Sequence, residues 1–142
     1  MRKSKYRLLL INFPGYHNLA TEETAFLVNS QSVTSSTLTS LSGTLRFDPS
    51  KYNMDKIEKF EVQVEWESGG AGDIDVYDST NATKVADVAT PSGATGYTIS
   101  VVDVTSYFKG LTAPADIVIQ AAGDGTNAVT VHKASLRAYV RL

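Results

Sequence analysis

Between Ile57 and Glu67, Phe60, Val62, Val64 and Trp66 alternate with Lys59, Glu61, Gln63, Glu65 and Glu67. An apolar period of two marks a strand with one face in a core and one in water, because successive side chains leave a pleated backbone on opposite sides. A helix would spread those glutamates around its surface. After Ser68-Gly69-Gly70-Ala71-Gly72 the alternation resumes in Asp73-Ile74-Asp75-Val76-Tyr77, and the two runs together predict a hairpin.

The same grammar continues downstream. Asp78-Ser79-Thr80-Asn81 has turn chemistry and precedes a short strand, Thr83 to Val88. After the break at Pro91-Ser92-Gly93, a strand running to Val104 has Tyr97, Ile99 and Val101 on one face and Thr98, Ser100 and Val102 on the other. Asp103 or Thr105 then caps a single helical turn that ends at Gly110. Ala115 to Ala122 forms a strand, and Gly123-Asp124-Gly125-Thr126-Asn127 turns the chain back into the last one. In that last strand Val129 and Val131 share one parity, while Ala134, Leu136, Ala138, Val140 and Leu142 share the other. A bulge at His132 or Lys133 restores a single inward face.

Upstream, Tyr6 to Phe13, Thr24 to Val33 and Leu41 to Asp48 read as strands. Residues 30 to 42 include nine Ser or Thr out of thirteen, which predicts a flexible or edge segment there. Eight or nine short strands with Gly-rich turns specify an all-β domain, an antiparallel β-sandwich of jelly-roll type, ahead of an immunoglobulin-type sandwich. Residues 24–142 are expected to form that single domain, and residues 1–23 a basic arm or first strand.

Composition narrows the chemistry. The 142-residue chain has no cysteine, which removes disulfides and thiolate chemistry, and only two histidines, His17 and His132. Its net charge of -2 hides a division. Arg2, Lys3, Lys5 and Arg7 give residues 1–10 a charge of +4, and Lys133, Arg137 and Arg141 give the last ten +3, so residues 11–132 hold -9. Basic ends on an acidic body favour contact with another copy or with other structural proteins, and leave nucleic acid a route only through the N-terminal arm. The apolar run Leu8 to Ile11 is shorter than the roughly 7 to 15 residues of a secretory segment or the roughly 20 of a membrane span. The expectation is a chain with no signal peptide or membrane span, located in the cytoplasm or a virion.

Thr44-Leu45-Arg46-Phe47-Asp48, the Phe60 to Glu67 strand, Asp103-Val104-Thr105-Ser106-Tyr107-Phe108 and the closing Ala134 to Val140 together resemble the small jelly-roll modules of carbohydrate-binding and viral or phage surface proteins. The resemblance covers Thr44 to Leu142. It implies a sandwich closed by alternating aliphatics, and structural calcium is common in such modules.

Three clusters carry candidate chemistry. Asp73, Asp75 and Asp78, with Asp124 or Asp87, offer hard oxygen ligands for calcium. Tyr77 shares the parity of Asp73 and Asp75, opposite Ile74 and Val76, and an aromatic ring beside hydrogen-bonding acids suits the apolar face and hydroxyl rim of a sugar. Trp66, in phase with Phe60, belongs to the core. No Ser, His and Asp set and no acid pair in an apolar pocket emerges, so a non-enzyme is expected. The leading functional expectation is a self-associating structural protein of a virion or surface appendage, and the alternative is a carbohydrate-binding module.

Overall fold

The computed structural model describes residues 6–13 and 16–142, with side chains from residue 20 onward. Its strands are β1 (Tyr6–Phe13), β2 (Tyr16–Leu27), β3 (Gln31–Val33), β4 (Thr39–Ser40), β5 (Leu45–Phe47), β6 (Ile57–Ser68), β7 (Asp73–Asp78), β8 (Thr83–Ala89), β9 (Thr95–Asp103), β10 (Ala115–Ala122) and β11 (Val129–Arg141). One helix, α1 (Thr105–Gly110), lies between β9 and β10. Sheet A has the order β1-β2-β11-β6-β9 with β3 also on β11, and sheet B the order β4-β10-β7-β8 with β5 also on β10. Every pairing is antiparallel. The protein is a two-sheet β-sandwich, and its strands outnumber the expected eight or nine because β3, β4 and β5 are pieces of two or three residues.

Phe60, Val62, Val64 and Trp66 of β6 meet Ile74 and Val76 of β7, Ile117 and Ile119 of β10, and Val129, Val131 and Leu136 of β11 in one core. Full burial of each aliphatic side chain favours folding by about 1.5–3 kcal/mol. Phe47, Tyr52, Phe60 and Phe108 close one end, with ring centroids 4.5 Å apart for Phe47 and Phe108 and 5.1 Å for Phe47 and Tyr52. Helix α1 brings Phe108 to that cluster. Asp103 Oδ1 fixes its start by accepting the Thr105 N–H at 2.9 Å and its hydroxyl at 2.6 Å.

Three sequence expectations change, and the wet face of β9 is settled. β6 and β7 are not a hairpin: β6 pairs with β11 and β9, whereas β7 pairs with β10 and β8. Each strand has an inward apolar set, Phe60 to Trp66 on β6 and Ile74 with Val76 on β7, and the glycine loop lets these bury against each other across the sandwich. A Cβ on Gly72 would lie 2.4 Å from Val129 Cγ2 and 2.5 Å from the Ala122 carbonyl oxygen, so the crossing leaves room only for glycine. The turn at residues 123–127 likewise crosses sheets, from β10 to β11. In β9, the apolar set Tyr97, Ile99 and Val101 faces outward, at 57%, 54% and 49% exposure. Finally, β2 begins at Tyr16 and runs without interruption past Glu23, so Thr24 lies within a strand. The bulge does fall at His132, where the β11–β6 register shifts between Val131 and Lys133.

Arg2, Lys3 and Lys5 lie outside the described residues. Arg7 lies on β1, opposite Glu23 of β2. Among the described residues no helix is long and apolar enough to cross a membrane.

Candidate functional site

Strand β7 sends Ile74, Val76 and Asp78 toward the core and Asp73, Asp75 and Tyr77 to the exterior of sheet B. The flanking strands add the rest of that face. Half-buried Tyr77 stands in register between Val118 of β10 and Lys84 of β8, and Asp75 between Gln120 of β10 and Asp87 of β8. The β7–β8 register shifts twice here, just before Asp75, between Ile74 and Asp75, and again between Val76 and Tyr77. Beyond it, Gln120 Nε2 donates to Ser40 Oγ at 3.2 Å, and Arg46 pairs with Asp116 at 3.1 Å.

Asp73, Asp75 and Asp87 each direct one carboxylate oxygen into a group whose members lie within 4.8 Å of one another. Asp75 is 1% exposed. Its Oδ1 and that of Asp73 are buried and have no hydrogen-bond donor among the described residues. Lys84 Nζ sits 2.7 Å from Asp87 Oδ1. Burial first, and then the charge of Asp73, push the Asp75 carboxyl up to about 6 against the opposing pull of Lys84. Asp87 moves the other way, held below the usual carboxylate range by its hydrogen bond to Lys84 and then by its contact with Asp75.

Asp78 is not part of this group. Strand parity turns it to the core side, where it is fully buried and its oxygens accept the Asn81 N–H at 2.9 Å, the Asn81 amide at 2.7 Å and the Tyr107 hydroxyl at 2.6 Å. Asp124 is also apart, since its carboxylate accepts from the backbone of Thr126 and Asn127 and from the Asn127 amide. Of the two further acids weighed for calcium, the fold brings Asp87 to Asp73 and Asp75. A shallow groove of about 570 Å³ opens beside Asp73, with Leu38 and Gly72 among its walls.

The exterior of sheet A carries a second aromatic feature. Tyr97 stacks on His132 with centroids 5.5 Å apart and planes 26° from parallel, and its hydroxyl bonds to Glu65. His132 Nδ1 shares a hydrogen bond of 2.7 Å with Ser30 Oγ. Glu61 departs from the solvated role its parity implied: it is 7% exposed and accepts the Tyr139 hydroxyl at 2.5 Å, with Lys59 at 3.0 Å.

No family model matches the chain, and no curated relative does. Solved structures similar to it include a family 29 carbohydrate binding module, 14% identical with a TM-score of 0.43 over 84% of this chain and 88% of that one. A variant of such a module complexed with mannohexaose is 16% identical with a TM-score of 0.44, covering 84% of this chain and 92% of that one. Another, complexed with cellulohexaose, is 14% identical with a TM-score of 0.43, covering 84% and 91%.

Proposed function

We propose that the exterior face of sheet B binds a glycan, with Tyr77 as the platform for a sugar ring. The observation that carries this reading is the setting of Tyr77. An aromatic ring stands in register between an aliphatic side chain, Val118, and an ammonium, Lys84, on a face that also carries the half-buried carboxylate of Asp73. A sugar presents an apolar face for the ring and hydroxyls that donate to carboxylates and accept from lysine. Because the strands on both sides of β7 hold these groups in register, little is lost in ordering them on binding.

The test is calorimetric titration of the chain with mannohexaose, cellulohexaose and the hits of a glycan array, repeated with Tyr77→Ala. Binding that falls at least tenfold in the variant supports this face. Undiminished binding places the glycan elsewhere, and no binding to any glycan removes the reading.

Self-association is the second reading, and edge strand β9 favours it. Its outward Tyr97, Ile99 and Val101 lie beside a sheet edge that no other strand pairs among the described residues, which is the surface a strand of another copy covers. Native mass measurement of the chain and of Ile99→Lys tests it: a multimer that the lysine dissociates supports the reading, and a monomer at high concentration ends it.

A further inference from the structure

We propose that Asp73, Asp75 and Asp87 are the protein ligands of a calcium ion bound on the exterior of sheet B. Two independent features point to a cation. The first is convergence: three carboxylates from two adjacent strands place one oxygen each within 4.8 Å of one another. Two oxygens on opposite sides of calcium, each at its usual 2.3–2.6 Å, are about 5 Å apart, so the group already spans a calcium coordination shell. The second is burial without a partner. Asp75 is 1% exposed, yet no donor among the described residues reaches its Oδ1, and the Asp73 Oδ1 is in the same position. The amide of Gln120, opposite Asp75 on β10, donates to Ser40 Oγ at 3.2 Å and not to this oxygen. A buried carboxylate oxygen in that state is costly unless a proton or a cation meets it.

The charge count matches a divalent ion: three carboxylates less the one ammonium of Lys84, which lies 2.7 Å from Asp87 Oδ1, leave two negative charges. An all-oxygen donor set without His or Cys suits calcium or magnesium in preference to zinc or copper. Calcium is the better match because it takes irregular shells completed by water, whereas magnesium demands near-octahedral geometry from ligands that the β7 and β8 backbones hold in place.

Cation binding is separable from the glycan reading, because it is measured with no sugar present. The experiment is calorimetric titration of the chelator-treated full chain with calcium chloride and with magnesium chloride, together with melting curves. Calcium is expected to bind one ion per chain more tightly than magnesium and to raise the melting temperature with each tenfold rise in free ion, since a ligand of the native state alone stabilises it. Asp75→Asn and Asp87→Asn should abolish both effects, while Asp116→Asn, on the same face but paired with Arg46, should leave them intact. Should the cluster variants fail to fold, terbium luminescence sensitised by Tyr77 in the unaltered chain, and its loss on adding calcium, reads the site directly. The proposal is overturned by the absence of calcium heat and of terbium competition at millimolar ion, by tighter binding of magnesium, or by calcium binding that survives in both cluster variants.

Discussion

The phenol of Tyr107 donates to Asp78 Oδ2 across 2.6 Å, tying helix α1 to the turn between β7 and β8. Asp78 is fully buried, and burial alone raises a carboxyl. The hydrogen bonds from Asn81, Tyr107 and the Thr80 backbone outweigh it and hold the group below its usual value. On the other side of the bond, burial and then Asp78 push the Tyr107 phenol up to about 12. Tyr107→Phe keeps the ring and removes one donor from a buried carboxylate. The expected loss is about 1–3 kcal/mol, seen as a lower urea midpoint with an unchanged slope. Because the Asp78 carboxyl is depressed, its contribution is present above the unfolded-state pKa and disappears as pH falls through the folded one, so wild type and variant should converge in acid.

Val64→Asp should prevent folding. Val64 has no solvent exposure and stands between Ala134 of β11 and Ser100 of β9, facing the opposite sheet. A carboxylate there has no partner and no water, a penalty of about 4 kcal/mol or more on a domain whose whole margin is about 5–15 kcal/mol. Loss of the far-ultraviolet strand signal, or insoluble expression, is the expected outcome, and a soluble variant with a cooperative melt contradicts the inward assignment of this position.

In metal-free buffer Asp75 gives stability the opposite pH dependence from Asp78. Its carboxyl is raised to about 6 by burial, by Asp73 and by Asp87, against Lys84, while an unfolded aspartate titrates near 3.9. A raised group favours the fold fully below the unfolded pKa, and that contribution is lost as pH rises through the folded value. Chelated protein should therefore lose on the order of 2 kcal/mol from this group between about pH 4 and 6.5. Asp75→Asn removes the ionisation and should flatten this dependence, making the chelated variant more stable than chelated wild type at pH 7. Urea midpoints at half-unit pH steps in the presence of chelator check the sign.

The parts of this fold that were legible in the chain were those set by side-chain alternation within one strand. Phe60 to Trp66 placed β6 and its inward face, and the parity change between Val131 and Ala134 narrowed the bulge to His132 or Lys133, of which the register selects His132. Alternation does not say which strand lies alongside, so the Gly-rich loop after Ser68 read as a hairpin although it crosses between sheets. Nor does it say which face of an edge strand is wet, and Tyr97, Ile99 and Val101 turned out to face solvent. In the candidate site, Asp73, Asp75 and Tyr77 were visible as one face of β7. The exclusion of Asp78 was available from the same parity, since it is in phase with Ile74 and Val76. Choosing Asp87 over Asp124 required the β7–β8 register, which depends on two irregularities that no local pattern announces. The burial of Glu61 was equally hidden, because it depends on Tyr139, 78 residues away.

A chain beginning at Thr21 tests the role of the N-terminal segment. It lacks β1 and the Tyr16 to Ala20 portion of β2, but keeps Thr21 to Leu27, including buried Phe26 and Leu27, in register with β11. Since β1 pairs with β2 and lies at the end of sheet A, its removal takes away a terminal strand and uncovers the β2 backbone as a new edge. The expected result is a folded chain of lower melting temperature that associates more readily than the full chain, because an unpaired edge recruits strands from other copies. An assembly arm predicts the reverse, a folded truncated chain of lower native mass, and full-length association that weakens with salt as Arg2, Lys3, Lys5 and Arg7 are screened from the acidic body. Native mass at low and high salt, read beside circular dichroism of both chains, separates the two outcomes, and a truncated chain with no folded signal shows that β1 and the start of β2 are indispensable to the sandwich itself.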